Sequence, residues 1–389
     1  MLALALVSAL AWAWLVVGHG GFWRADQRLA PAPAPPVWPE VAILIPARDE
    51  VATIGLVVRA HLTADYPGAC RLVVVDDHST DGTAEAARRA ADEARGGDRL
   101  DVIAAPPLPA GWSGKLWALE AGLAHLRRAA PGARWLLLTD ADVEVGPELL
   151  KRLVAAAEAQ GLALLSVMAR LDDRGPWGAL LIPAFVYFFQ MLYPFPWANR
   201  PGHPVAAAAG GVMLVRRDAL EEVRAFATIR SALIDDCALA ARLKRGPPPR
   251  AIRIVLADGF ADARSHRDNR RFASVRDMVA RTAYAQLRHS PSLLLLTLFG
   301  LGLVFVVPPL VALGVPLHGS APAAALGAGA WVAMAASCGP TLKLYGRPGW
   351  QGLALPVSAA CYAGFTLLSA LRHARGRGAR WKGRVYPAR

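Results

Sequence analysis

The chain has 389 residues, 54% of them hydrophobic, with a mean hydropathy of +0.32 and a formal net charge of +13. Apolar content this high and this uneven excludes a disordered chain and describes a folded soluble domain joined to membrane segments. Cys70, Cys237, Cys338 and Cys361 are scattered without a CxxC pair, which argues against a thiolate metal site and fits reduced thiols in or facing the cytosol.

Residues 1–23 carry no charged side chain and are long enough to cross a hydrocarbon core of ~30 Å. No basic n-region and no small-residue cleavage site precede Arg24, so the segment reads as a retained anchor rather than a cleaved signal. Residues 24–39 form a linker ending in the proline-rich run APAPAPPVWP, a stiff spacer. From Glu40 onward, short apolar runs alternate with helical patterns. Strands are expected at residues 41–45, 71–75, 100–104, 135–139 and 162–168, with helices at 50–62, 80–94, 115–128 and 147–160. That alternation implies βαβ units, hence an α/β domain over residues 40–265 with a mostly parallel sheet covered by helices on both faces.

Residues 177–197 (WGALLIPAFVYFFQMLYPFPW) are apolar and aromatic but interrupted by Pro183, Pro194 and Pro196. A buried core segment and a membrane-interface helix fit equally, and either could wall an apolar acceptor site. Residues 266–290 are a basic segment, 291–371 contain three apolar runs (291–317, 320–342 and 350–371), and 372–389 form a basic tail. Basic clusters beside membrane spans mark the cytoplasmic side and lipid headgroups rather than nucleic acid. Three ordinary spans after a cytosolic domain would, however, strand the tail outside. One run is therefore expected to be re-entrant or interfacial, and residues 350–371, between two basic stretches, are the first suspect.

Acidic residues sit where strands end, the position at which open α/β sheets bind ligands. VVVDD places Asp76 and Asp77 after three valines, ahead of Ser79, Asp81, Gly82 and Thr83. A turn and helix cap explain the later residues, while the adjacent carboxylates can accept hydrogen bonds from a base or ribose. The apolar run 135–139 delivers Asp140 and Asp142, alternate residues able to face one site. Hard oxygen ligands suit Mg²⁺ or Mn²⁺ on a sugar diphosphate. Asp235 and Asp236 open a helical pattern, where acids commonly complement the dipole. A sugar transfer with inversion needs a base near the acceptor, and Asp236 is the choice, with Asp235 as substitute.

Jointly, IPARDE (45–50), VVVDDHSTDGT (73–83), GWSGKLWAL (111–119), LLLTDAD (136–142), AAGGVMLVRRDAL (208–220) and LIDDCAL (233–239) resemble family 2 glycosyltransferases of the GT-A fold. GWSGKLWAL, ALIDDCALA and WKGRVY most resemble the hopene-associated glycosyltransferases of hopanoid gene clusters, with ceramide glucosyltransferases next. The resemblance implies an inverting transferase using a UDP-sugar, Mg²⁺ or Mn²⁺ and a lipid acceptor, multi-pass in a bacterial-type inner membrane with its catalytic domain in the cytosol. Carried over by residue, Pro46, Arg48, Glu50, Asp76 and Asp77 would hold the nucleotide and Lys115 the donor. Asp142 would be the main metal ligand, with Asp140 beside it on ribose or metal. Gly210 and Gly211 would admit the sugar and acceptor, and Asp236 would be the base.

The family's QxxRW-type motif is not cleanly present. RTAY (281–284) and QLRH (286–289) lack its Trp, and WKGR (381–384) has another order. Arg281 and Arg288 are candidates for the pyrophosphate, since a leaving dianion needs cations. His266 and His289, remote in sequence from any Cys or Glu cluster, read as surface or interface histidines. A polyprenyl-phosphate or ceramide-type acceptor, a processive polysaccharide synthase and a non-catalytic lipid-binding scaffold are the alternatives.

Overall fold

The computed structural model describes residues 1–259, 262–376, 380–381 and 384–385. Within the α/β domain, seven strands form one sheet in the order β3-β2-β1-β4-β7-β6-β8. They are β1 (Val41–Ala47), β2 (Cys70–Asp76), β3 (Leu100–Ala104), β4 (Trp135–Thr139), β6 (Leu164–Met168), β7 (Val212–Arg216) and β8 (Ile252–Leu256). Pairing is parallel except along β7, which runs antiparallel to both β4 and β6.

Every residue of β1 is buried, as a strand covered on both faces requires. Its alternate side chains enter two different cores. Ile43 and Ile45 join Leu72, Val74 and Leu137 under α2 (Ile54–Leu62), α3 (Thr83–Glu93) and α5 (Leu149–Ala159). Leu44 joins Val73, Val75 and Leu136 under α4 (Gly114–Ala129) and the helix Asp235–Arg245. Gly122 lets α4 settle on the sheet, because a β-carbon there would stand 2.2 Å from Leu44 Cδ1. A separate ribbon pairs β5 (Val143–Val145) antiparallel to β9 (Ala263–Ser265).

By length and apolarity, four helices could cross a membrane: α6 (Gly175–Leu192), Pro291–Leu313, Ala321–Leu344 and Gly349–Ala374. The N-terminal helix α1 (Leu2–Val17) is shorter, at 16 residues, and packs on Ala321–Leu344 and on the middle of Pro291–Leu313. There a π-turn, Gly302–Val306, precedes Pro308 and Pro309. Neither proline has an N–H to give, so the carbonyls one turn back need other donors. Ser8 Oγ donates to the Leu303 carbonyl at 2.9 Å and Trp12 Nε1 to that of Val304 at 2.6 Å. The same logic holds at Pro183 inside α6, whose missing donor faces the Ala179 carbonyl. Gln351 Nε2 supplies that bond, and Ser358 and Tyr362 donate to the Leu180 and Leu181 carbonyls.

These contacts place the ends of each segment. Pro291–Leu313 leaves the domain, and Ala321–Leu344 returns to it, where Arg170 donates to the Leu344 and Tyr345 carbonyls at 3.0 and 3.1 Å. Gly349–Ala374 starts beside Arg347, which pairs with Asp173 at 2.7 Å. It then reaches Trp331 and Ala335 of the preceding helix, roughly 14–20 Å inside its end at the helical rise. It ends at Arg372, bound to Asp277 of the domain side at 2.8 Å. Both ends thus lie on the domain side, and the described start of the basic tail lies there too. α6 behaves likewise, since beyond its end Lys244 Nζ donates to the Trp197 and Ala198 carbonyls.

Candidate active site

The loops that follow β1 and β2 are stitched together. The Asp49 N–H donates to Ser79 Oγ at 3.0 Å, the Thr80 N–H to Asp49 Oδ1 at 2.9 Å, and the Glu50 N–H to Thr83 Oγ1 at 2.8 Å. Asp76 accepts the Ser79 N–H at 3.1 Å. Asp77 is buried, 1% exposed, with Arg48 Nη1 3.6 Å from its carboxylate.

Asp140 follows β4 directly, and its N–H is 3.4 Å from the Gly211 carbonyl, which also accepts Thr139 Oγ1 at 2.9 Å. Asp142 is held from the β5–β9 ribbon. The His266 N–H donates to its carbonyl at 2.7 Å, and Ser265 Oγ stands 3.5 Å from its Oδ2. Glu144 takes His266 Nε2 at 2.7 Å and Arg264 Nε at 2.8 Å. Burial opposes its ionisation, but those two bonds hold the carboxyl below its ordinary range.

Ser113 caps α4 by accepting the Leu116 N–H at 3.3 Å and so fixes Lys115 at the helix start. Lys115 Nζ lies 2.9 Å from Asp140 Oδ1 and 3.1 Å from Asp235 Oδ2. Burial alone would depress the ammonium, but Asp140 and then Asp235 raise it well above its usual value. Asp236 Oδ2 accepts the Gly210 N–H at 2.9 Å and Oδ1 accepts the Cys237 N–H at 2.7 Å. Burial, then the neighbouring Asp235, push its carboxyl up to about 6 despite Lys115. Gly210 is small for a reason: a β-carbon would meet Lys115 Nζ at 3.3 Å and Asp236 Oδ2 at 3.4 Å.

A cavity of about 880 Å³ opens over these groups, lined by Pro46, Glu50, Lys115, Asp140, Asp142 and Asp235. Its other wall comes from Phe272–Ala280, Ala283–Gln286 and the end of Leu355–Ala374, through Arg281, Tyr284, His289, Ser369, Arg372 and His373. Arg267 lines it too, and burial, then the nearby Arg281, push its guanidinium below the ordinary range. Neither Arg267 nor Arg281 makes an ion pair among the described residues. The carboxylates of Asp142, Glu50 and Asp140 act on Arg267 from beyond ion-pair distance, and two cations crowded at one wall suit a dianion.

Residues 39–285, well over half of the 389, match the family profile described as "Glycosyltransferase like family 2". The chain belongs to this family. Among solved structures, the transferase is similar to the mannosyltransferase PcManGT from Pyrobaculum calidifontis, solved with GDP-Man and Mn²⁺. That match has 20% identity, a TM-score of 0.54 and coverage of 95% of this chain and 98% of the other. Mannosyl-3-phosphoglycerate synthase from Rubrobacter xylanophilus matches at 17% identity and TM-score 0.39, over 74% of this chain and 84% of its own. Glucosyl-3-phosphoglycerate synthase from Mycobacterium tuberculosis, solved with Mn²⁺, UDP and its product, matches at 20% identity and TM-score 0.40, over 64% and 80%. The first of these shows the fold, and the transferase has the GT-A architecture. Among curated proteins none matches significantly.

The site brings together only part of the set expected from sequence. Pro46, Glu50, Lys115, Asp140, Asp142, Asp235 and Arg281 share the cavity wall. Gly210 and Asp236 stand directly behind Lys115, and Gly211 braces the end of β4 through its carbonyl. Arg48 and Asp77 are off the cavity wall, where Arg48 Nη1 donates to the Asp77 carbonyl and stands 3.6 Å from its carboxylate. Arg288 is exposed and off the cavity wall, in a turn where both it and His289 are left-handed, at φ 52° and 55°. His266 and His289, read as surface or interface histidines, line the cavity, and Arg267 joins them. Their only sequence signal was placement in a basic stretch next to membrane runs. Of WKGR, residues 382–383 lie outside the described residues, as do residues 377–379 and 386–389 of the tail.

The transferase fits a divalent ion at Asp140 and Asp142. Both are hard oxygen donors on the cavity, and among the described residues no cluster of three or more His, Cys, Asp or Glu forms a closed cage. Such an open pair leaves positions for diphosphate oxygens and water, the division Mg²⁺ prefers.

Proposed function

We propose that the transferase moves a sugar, with inversion, from a UDP-sugar to a hydroxylated lipid at the cytoplasmic face of a bacterial-type inner membrane. The observation that carries this reading is the single cavity running from Lys115, Asp140 and Asp142 to His373, at the end of a helix that dips among the apolar helices. A donor site and a bilayer-facing wall share one space. A hopanoid is the first acceptor to test, on the strength of the GWSGKLWAL and ALIDDCALA stretches.

In this reading Glu50 and Pro46 meet the nucleotide, with Asp76 beside them, while Arg48 and Asp77 set the loops that carry them. Mg²⁺ or Mn²⁺ on Asp142 and Asp140 would neutralise the departing diphosphate. Arg267 and Arg281 take up the charge that develops on it. Lys115 orients the Asp140 and Asp235 carboxylates. Asp236 accepts the proton of the attacking hydroxyl, since burial and the neighbouring Asp235 raise its carboxyl. The orientation is supported by the two basic stretches. Arg264–Arg288 and the described start of the tail sit on one side of the apolar helices, as the positive-inside tendency favours for the cytosol.

The test is transfer of radiolabelled sugar from UDP-glucose, UDP-N-acetylglucosamine or GDP-mannose to membrane lipid extract. Label in an organic-extractable product, lost with EDTA, supports the reading. Folded protein that neither transfers nor hydrolyses any of these donors overturns it.

A further inference from the structure

The cavity has a half that donor chemistry does not use. Tyr284, His289, Ser369, Arg372 and His373 wall it, carried on helices whose far sides join the apolar cluster through Phe272, Val275, Val279, Tyr362 and Phe365. His289 and His373 stack face to face, with ring centroids 4.2 Å apart and planes within 11°. Tyr284 packs edge-on against both at 5.4 Å. Its hydroxyl donates to the His289 carbonyl at 2.8 Å, and its N–H donates to Ser369 Oγ at 3.1 Å. The frame is therefore rigid, with imidazole edges and the Ser369 hydroxyl hydrogen left to meet a ligand.

The charges here are mostly spent. Asp277 binds Arg372 at 2.8 Å and Arg276 at 3.1 Å. Arg281 belongs with Arg267 at the donor end, and Arg288 points to solvent. Two imidazolium rings would repel in this stack, and burial, then the neighbouring ring, lowers His289.

We infer that Tyr284, His289, Ser369 and His373 form the acceptor subsite, and that it takes an uncharged, hydroxyl-bearing lipid head entering from the bilayer side. This rests on the proposed transferase reading and narrows its acceptor. A lipid phosphate would need free cations at this wall and no base at Asp236. A neutral polyol matches imidazole and hydroxyl partners and does need a base to take its proton.

The experiment uses the full chain in lipid nanodiscs, with a long-chain alkylglycerol as the neutral probe and a polyprenyl monophosphate as the anionic one. Wild type is expected to glycosylate the alkylglycerol and leave the phosphate untouched. His289→Ala and His373→Ala should each raise the KM for the alkylglycerol about tenfold, the loss of one or two hydrogen bonds. UDP affinity by calorimetry should stay within twofold. His373→Gln, which restores a donor and an acceptor, should recover most of the loss and guards against misfolding. Preferred use of the polyprenyl phosphate overturns the inference, and so does an acceptor KM that the Ala variants leave unchanged. Failure to use either probe while UDP-sugar hydrolysis persists overturns the acceptor assignment alone, whereas loss of all donor turnover overturns the transferase reading.

Discussion

Replacing Asp236 by Asn should raise stability while removing most activity, because the carboxylate is held where it resists ionisation. Its carboxyl lies at about 6 instead of the ordinary 3.8, which at 1.36 kcal/mol per pH unit is about 3 kcal/mol against the folded state at neutral pH. The sign follows from proton binding. Between those two values the folded chain keeps a proton that the unfolded chain has lost, so stability falls as pH rises through that window. Asn can still accept the Gly210 N–H with its oxygen, but its NH2 then faces the Cys237 N–H, so that bond is lost and the exchange costs about 2 kcal/mol. The net gain is about 1 kcal/mol above pH 6, and it is gone below about pH 4. Thermal melts of the detergent-solubilised chain at pH 4 and pH 7.5 read this directly, beside transfer rates expected to fall by about 10²- to 10⁴-fold. A variant that melts below wild type at pH 7.5, or one that retains turnover, refutes the reasoning.

Other outcomes follow from the same geometry. The transfer rate of wild type should fall as pH drops through about 6, where Asp236 gains its proton, and a rate profile flat down to pH 5 contradicts the base assignment. Arg267→Gln and Arg281→Gln should each weaken UDP binding about tenfold, a charge-assisted bond apiece, while leaving the melting temperature no lower, since each relieves the other's repulsion. Calorimetry with UDP and Mn²⁺ measures this, and unchanged affinity in both variants removes the dianion receptor. Trp12→Phe leaves the Val304 carbonyl without a donor in an apolar setting and should cost roughly 1–3 kcal/mol, read as a lower melting temperature in nanodiscs. A neutral result shows that the bond to Val304 carries no stability.

The acidic clusters were readable in the chain because strand ends are local features. Valine and leucine runs stop at Asp76 and Asp140, and the sheet parallel to β1 carries both to one edge. β7, β8 and the three-residue strands β5 and β9 were not foreseen, since short segments whose pairing is set by distant partners carry little periodic signal. The burial of Asp77 beside an exposed-side Asp76 was also illegible, because neighbouring strand residues differ only in the face they take. Arg267, His289 and His373 reach the cavity through packing of the segments after residue 265, and their spacing along the chain is silent about that. Residues 350–371 were singled out from charge balance as re-entrant or interfacial, while the contacts that bring both ends of Gly349–Ala374 to the domain side were not legible. Gln351 gives the Ala179 carbonyl the donor that Pro183 lacks, and Ser358 and Tyr362 add bonds to the next two α6 carbonyls.

The central claim is that the Lys115–Asp140–Asp142 cluster and the bilayer-side wall serve one reaction. Its most direct test is mass spectrometry of the lipid product formed from a ¹³C-labelled UDP-sugar by the purified chain in nanodiscs containing lipid extract, with and without Mn²⁺. The account predicts a single hexose or N-acetylhexosamine added to a hydroxylated lipid, only with the metal, and none in Asp142→Asn. Sugar found on no lipid although the donor is consumed, or labelled lipid formed equally without metal and in Asp142→Asn, would contradict it.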